Sequence, residues 1–381
     1  MIRIFVMGDA HIGKKYDRYP ELKERLSQSR IDVLKDMVRK AEEEKCEFFV
    51  VTGDLFDSAE RTRVSDVKKT AAILSSFGGR VIVLPGNHDY YSGKEKVWSD
   101  FEAAMDLQDH NITLIREFRP YSFEAGDEKA VFYPAFCQAK HSKTNNLSWI
   151  REAGIETDGV INIGLAHGTI VGVSPDPDLE YFPMTVAELS GIPVDAWLIG
   201  HTHVPFPAGL REDEETEGYK IFNAGTHEQT DLHNNTDGNG FIITIEKTGR
   251  EARVLARRYV SGKVHFRDLD AYVRPDSDTA LEDAVKKAVS GTDPCSIVRL
   301  TLSGSARQEE YERRADIYRK LLGGFLTYET DDSGLSGQIT VDKIRSEYAE
   351  TSFAAKFLEK LTEDPAELQM AYELLKSCRE D

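Results

Sequence analysis

The sequence predicts an α/β protein, with two sheets packed together and flanked by helices, followed by a smaller α+β domain. Three observations carry that expectation. Strand-length apolar runs alternate with helix-length amphipathic segments along most of the chain. Five of the runs, at residues 2–11, 48–57, 81–89, 161–167 and 197–203, end in or near glycine and deliver side chains able to hold a metal. Finally, 381 residues exceed the usual span of one hydrophobic core, and these motifs cease beyond about Val264.

Residues 2–7 are nearly all apolar, as a strand covered on both faces should be. Residues 21–45 read as a helix, because Leu22, Leu26, Ile31, Leu34, Met37, Val38 and Ala41 fall largely on one face. A buried strand at 48–52 completes a βαβ unit, whose crossover should be right-handed. The helix expected at 64–77 leads into a strand beginning at Val81. Two such units in parallel bring Asp9, Asp54 and Asn87 to one carboxyl edge, where α/β folds bind ligands. Strands are also expected at 112–115 and 130–133, and again at Ile161 and Trp197. After residue 203 the pattern turns antiparallel, with segments 219–222, 240–246 and 252–260, and predicts a second sheet packed on the first. We place a first domain at 1–263 and a second at 264–381. In the second, helices are expected at 276–289, 308–322, 341–348 and 366–376, strands at 296–303 and 324–329, and an acidic, glycine-rich turn at 331–337.

A formal net charge of -18 argues against binding nucleic acid through bulk electrostatics, so any such role must come from local basic clusters. No apolar run approaches the roughly 18 residues needed to span a bilayer. With the first strand starting at Ile2, no signal peptide and no membrane partner are expected, and the expected address is cytoplasmic. Cys46, Cys137, Cys295 and Cys378 are widely spaced, which suits a reducing compartment.

Asp9 and His11 are two residues apart, as are His201 and His203, so each pair can reach a common point from an extended strand end. Asp54, Asn87 and His167 come from three further strand ends. Together they offer two carboxylates, one amide and four imidazoles, a set suited to manganese, iron or zinc rather than calcium or magnesium. Seven donors are too many for one ion with open positions and suit two ions sharing a carboxylate.

The series Asp9-x-His11, Gly53-Asp54-x-x-Asp57, Gly86-Asn87-His88-Asp89, His167 and Gly200-His201-x-His203 resembles the calcineurin-like metallophosphoesterase superfamily. That resemblance implies a two-sheet β-sandwich flanked by helices. It also implies Asp9, His11, Asp54 and His203 at one metal, and Asp54, Asn87, His167 and His201 at the other, with Asp54 bridging. His88 adjoins a ligand without belonging to a ligand pair, so it is free to contact phosphoryl oxygens or protonate a leaving oxygen. Asp57 is expected to hold the His88 imidazole, and Asp89 to do similar supporting work.

The wider layout is similar to SbcD-type nucleases of DNA double-strand-break repair: Asp9-Ala10-His11-Ile12-Gly13 at the start, His167-Gly168, a strand ending at Gly225-Thr226, then a capping domain. The resemblance implies a manganese-dependent DNA exonuclease or endonuclease, an SbcC-type coiled-coil ATPase partner and a homodimer. Lys14, Lys15, Arg18, Arg61 and Arg63 lie in loops leaving the metal-bearing strands and are the candidate DNA contacts. Two departures bear on substrate. Ser58 and Ala59 follow Asp57 where the protein-phosphatase branch carries arginine, and the proline that SbcD relatives often carry after this motif is absent. The alternative is a phosphodiesterase or phosphatase acting on small nucleotides or phosphoproteins.

Overall fold

Along β1 (Ile2–Met7) alternate side chains leave opposite faces, and both faces are apolar. Ile2, Ile4 and Val6 pack toward a second sheet, while Phe5 and Met7 pack under helices. That two-sided burial sets the layering of the molecule. The structure is a computed structural model describing residues 1–105, 111–174, 176–234, 236–275 and 280–380. It divides into Met1–His265 and Phe266–Asp381.

The first unit continues through α1 (Lys23–Glu43), β2 (Phe48–Val51), α2 (Val64–Ser75), β3 (Arg80–Val83), α3 (Lys96–Met105), β4 (Ile112–Leu114), β5 (Tyr121–Ala125) and β6 (Glu128–Ala135). It then runs through α4 (Ser148–Glu152), β7 (Val160–His167), α5 (Val186–Ser190), β8 (Ala196–Gly200), β9 (Thr216–Glu217), β10 (Ile221–Asn223), β11 (Asn239–Thr248) and β12 (Glu251–Val260). One sheet has the order β4-β3-β2-β1-β11-β12-β9 and the other β10-β8-β7-β6-β5. Phe48, Val50 and Ile82 meet Phe132, Ile163, Leu165 and Leu198 between the sheets. Helices α1, α2 and α3 cover the outer face of the first sheet through Met37, Leu74 and Phe101, and α4 and α5 cover the second through Ile150 and Leu189.

Of the three antiparallel segments expected after residue 203, the one at 219–222 enters the second sheet, as β10 and in parallel, while those at 240–246 and 252–260 do not. Strand β11 instead pairs antiparallel with β1, Ile4 opposite Ile243, and β12 pairs with β11, so both extend the first sheet. The second sheet comes from β5 to β8 with β10, and β10 joins β8 in parallel. The free edge of β1 accepted β11 because Ile243 and Ile245 continue its inward apolar row. Helix and strand type is readable from periodicity, but pairing across such an edge is not.

In the second unit, β13 (His265–Val273), β14 (Ser296–Ala306) and β15 (Thr327–Gly337) form a sheet in that order. It carries α6 (Leu281–Ala288), α7 (Gln308–Glu312), α8 (Arg314–Leu322), α9 (Val341–Glu347), α10 (Phe353–Lys360) and α11 (Pro365–Glu380). Residues 276–279 of the expected first helix lie outside the described residues. The expected turn at 331–337 is strand, because a register shift between Thr301 and Ser303 keeps β15 paired while Asp332 is held by Arg314 at 2.8 Å. The helix expected at 308–322 breaks at Arg313. Ile344, Tyr348 and Leu358 are buried with Leu368 and Tyr372, whereas Phe353 and Phe357 are exposed and stacked on each other at 5.7 Å. Cys46 and Cys137 are buried thiols and Cys295 is half-buried; the Cys378 side chain lies outside those described. Among the described residues no helix is long and apolar enough to cross a membrane.

Candidate metal centre

Strands β1, β2 and β3 of one sheet and β7 and β8 of the other release their chains at a common edge, and each turn there is sharp. Asp9, His11, Asp54 and His201 take positive φ of 49°, 44°, 51° and 102°. For non-glycine residues this costs roughly 1–2 kcal/mol each. Backbone bonds between the loops hold them there: Asp9 N–H to Gly53 at 3.1 Å, His11 N–H to Asp54 at 2.9 Å and Ile12 N–H to Leu55 at 2.9 Å. Glycine is required where the loops touch. A Cβ on Gly53 would lie 2.1 Å from His167 Nδ1, and one on Gly86 would lie 2.2 Å from Asp54 Oδ1.

Three donor groups result among the described residues, one of which, His11 with Asp57 and His88, shares His11 with the first of the two described next. Asp9, His11 and His203 place ligand atoms within 4.8 Å of one another, and so do Asp54, His167 and His201. Asn87 joins the second group, its Oδ1 being 3.0 Å from both His167 Nε2 and His201 Nδ1. Asp54 stands between the groups, with Oδ2 3.4 Å from His167 Nε2 and 3.8 Å from His11 Nε2. Its Oδ1 accepts the His88 N–H at 2.8 Å.

The ring tautomers show what this arrangement requires. His167 Nδ1 lies 2.9 Å from the Thr52 carbonyl, which can only accept, so Nδ1 carries the proton. That leaves the Nε2 lone pair facing Asn87 Oδ1 and Asp54 Oδ2, both acceptors. At the other group, His11 Nε2 and His203 Nε2 lie 3.0 Å apart. Lone pairs converging in this way need a proton or a cation among them. Burial pulls His167 down, yet Asp54 and Asp9 outweigh it and raise the imidazole to about 9. Burial pushes Asp9 up to about 8, His167 opposing and Asp54 adding. Asp54 is buried too, but His167 and His11 hold it well below the usual carboxylate range. Burial, with His167 adding, lowers His201 to about 4. Such a cluster takes up protons in the places where divalent cations bind, and the two compete. The donor set therefore fits two divalent ions: Asp9, His11, Asp54 and His203 would hold one, and Asp54, Asn87, His167 and His201 the other.

His88 is held differently from expectation. Its Nδ1 lies 3.1 Å from the main-chain carbonyl of Asp57, and the Asp57 carboxylate instead faces His11 Nδ1 at 3.4 Å. The Asp57 N–H bonds to Ile12 at 3.0 Å, which draws the side chain alongside the buried His11 turn. Asp57 thus contacts His88 through its backbone carbonyl and His11 through its carboxylate. The Nδ1–H of His88 donates to that carbonyl, which leaves Nε2 as the ring's lone-pair nitrogen. Asp89 is buried and accepts the N–H of Phe56 at 3.0 Å and of Gly86 at 2.7 Å, tying together the loops that present Asp54 and Asn87. Burial and then Asp54 push its carboxyl to about 7.

Two clefts meet at His88. One, of about 390 Å³, runs past His201 and His203 and includes Asp176, Tyr181 and Asp231. The other, of about 440 Å³, is lined by Lys14, Lys15, Arg61 and Lys140 beside Asp57. Arg18 and Arg63 do not line it: Arg18 lies 6.0 Å over the Tyr19 ring, and Arg63 pairs with Glu24 at 3.8 Å. Sequence reasoning missed Thr52 because it acts through its carbonyl, which leaves no mark in residue type. It also missed the Tyr181 ring, 4.8 Å from that of His201, on a loop without a motif.

Residues 2–205 match the sequence profile of the family described as calcineurin-like phosphoesterase. The chain belongs to this family. It has the mixed α/β calcineurin-like fold. Among relatives, an uncharacterized metallophosphoesterase, YhaO, from Bacillus subtilis (strain 168) is 29% identical over 203 residues, 51% of this chain and 47% of that protein. A probable cyclic nucleotide phosphodiesterase from Fibrobacter succinogenes is 27% identical over 194 residues, 50% of this chain and 66% of that protein. The chain thus spans about half the length of the first relative and under two thirds of the second. Calcineurin-like phosphoesterase YfkN from Bacillus subtilis, a solved structure, covers 68% of this chain and 90% of its own at 13% identity, with a TM-score of 0.39.

Proposed function

We propose that the chain hydrolyses nucleotide phosphodiesters. The observation that carries this is the placement of His88, outside the donor groups that contain Asp9 and Asp54 but bonded through its N–H to Asp54, where the two clefts meet. Two bound ions would supply charge neutralisation of the phosphoryl group and an activated water. The chain's own residues do the rest. Asp57 fixes the imidazole of His88 so that Nε2 can contact a phosphoryl oxygen and protonate the leaving oxygen. Asp89 and the glycine contacts keep the donor loops from shifting as charge develops.

A small nucleotide diester is the first reading, supported by the modest cleft beside His201 and by the description of the Fibrobacter relative. A second reading, DNA cleavage, is favoured by the cationic groove of Lys14, Lys15, Arg61 and Lys140. With it go manganese as the metal, an SbcC-type ATPase partner and a homodimer, for which co-purification is the test. Protein reconstituted with manganese should be assayed on bis-p-nitrophenyl phosphate, cyclic nucleotides, and end-labelled duplex, hairpin and single-stranded DNA, beside His88→Ala. Failure to cleave any diester would reject the proposal; diester cleavage with all DNA intact would reject the second reading.

The groove makes a separate prediction. Combined Lys14→Glu, Lys15→Glu and Arg61→Glu should raise KM for DNA by about 10-fold or more at moderate salt while sparing bis-p-nitrophenyl phosphate. Equal loss on both substrates would show that the groove does not contact nucleic acid.

A further inference from the structure

Arg30 occupies the position between Leu26 and Leu34 on the buried stripe of α1, where the helix pattern calls for an apolar residue. It is 1% exposed. A guanidinium so deeply buried is costly unless its donors are satisfied. Its partners are neutral groups around the first donor loop. Nε donates to the Ala10 carbonyl at 2.7 Å and Nη2 to the Asp9 carbonyl at 3.4 Å and Thr226 Oγ1 at 3.2 Å. Nη1 donates to Tyr16 Oη and the Glu228 carbonyl, each at 3.2 Å, and to the Gln229 carbonyl at 3.4 Å. The nearby Glu228 carboxylate is turned instead to the N–H groups of Lys263 and Val264 and to Ser29.

Thr226 closes the same network. Its Oγ1 lies 2.9 Å from the Asp9 carbonyl and 2.7 Å from that of Glu228, and can donate to one at a time. Arg30 and Thr226 therefore grip the backbone of Asp9 and Ala10 from behind. Asp9 and His11, the donors on either side of Ala10, both hold positive φ. Released from that grip, the loop would relax toward ordinary backbone angles and carry the two donors apart.

We propose that Arg30, acting with Thr226, is a positioning residue for the metal position formed by Asp9, His11 and His203. This rests on the dimetal reading of the site. The other position, formed by Asn87, His167 and His201, has no hydrogen bond to Arg30 or Thr226 among those of the described residues; it meets the gripped loop through the His201 N–H, which donates to the Asp9 carboxylate at 3.0 Å and 3.1 Å, so the larger effect should fall on the first position.

The test is calorimetric titration of Mn²⁺ into the metal-stripped full chain, with melting temperatures of the metal-free proteins alongside. Wild type should bind two ions. Thr226→Val should bind one with nearly unchanged affinity and the other about 10–100-fold more weakly. Thr226→Ser, which keeps the hydroxyl, should restore wild-type behaviour, and Arg30→Lys should resemble Thr226→Val. Wild-type affinity at both positions in Thr226→Val overturns the positioning role while leaving the dimetal reading intact. Equal weakening of both positions with a lowered metal-free melting temperature shows a general structural role and also overturns it. Fewer than two ions in wild type removes the dimetal reading itself.

Discussion

Replacing His88 with alanine should leave two ions bound and lower kcat on a nucleotide diester by about 10²–10⁴-fold, the range for loss of a general acid. The separation is possible because the His88 imidazole belongs to neither donor group that holds Asp54 or Asp9. Its tie to Asp54 is through the main-chain N–H at 2.8 Å, which alanine retains. The ring itself touches Asp57 through a carbonyl and packs edge-on against His11 at 4.7 Å. Metal analysis together with single-turnover kinetics checks the prediction. A variant that loses an ion along with its activity would show His88 to be a ligand or ligand support instead. An activated substrate with a good leaving group should recover much of the loss if His88 protonates the leaving oxygen.

Asp54→Ala should have the larger effect, because its carboxylate is shared. One oxygen faces both His11 and His167, and the other anchors the turn that carries Asn87 and His88. The expected outcome is loss of both ions at micromolar metal and activity at the level of the uncatalysed control, a greater loss than the roughly 10²–10⁴-fold expected for His88→Ala. Retention of two ions at wild-type affinity would refute the bridging role. Asp54→Asn separates charge from shape, since it keeps an acceptor for the His88 N–H but removes the negative charge that holds the imidazoles. It should fail in metal binding nearly as completely.

The parts legible in the sequence are those written in side-chain type. The nearly continuous apolar run at residues 2–7 gave a strand buried on both faces, and the order Asp9, His11, Asp54, Asn87, His167, His201, His203 put the donors on loops that the structure does bring together. The parts that were not legible depend on backbone or on contacts far along the chain. Nothing near Asp57 signals that its carbonyl rather than its carboxylate would take His88. Nothing around residue 243 signals that β11 would close on β1 instead of starting another sheet. Arg30 passed unremarked because one polar residue on an apolar helix stripe is read as tolerated, and its partners at 226–229 lie almost two hundred positions away.

The donors are divided between the two sheets. Asp9, His11, Asp54 and Asn87 follow strands of the first, while His167, His201 and His203 come from the second. Bound ions would therefore act as bolts through the sandwich, joining layers that otherwise adhere by apolar contact and by polar ties such as His167 Nδ1 to the Thr52 carbonyl and Lys247 to Asp195. Opening the sheets at that edge would require unloading the metal first. Chelation should accordingly lower the melting temperature of the first unit, with free metal at about 1,000 times its Kd contributing about 4 kcal/mol per site. Hydrogen exchange should quicken most in β7 and β8, whose hold on the opposite layer at this end would then be lost.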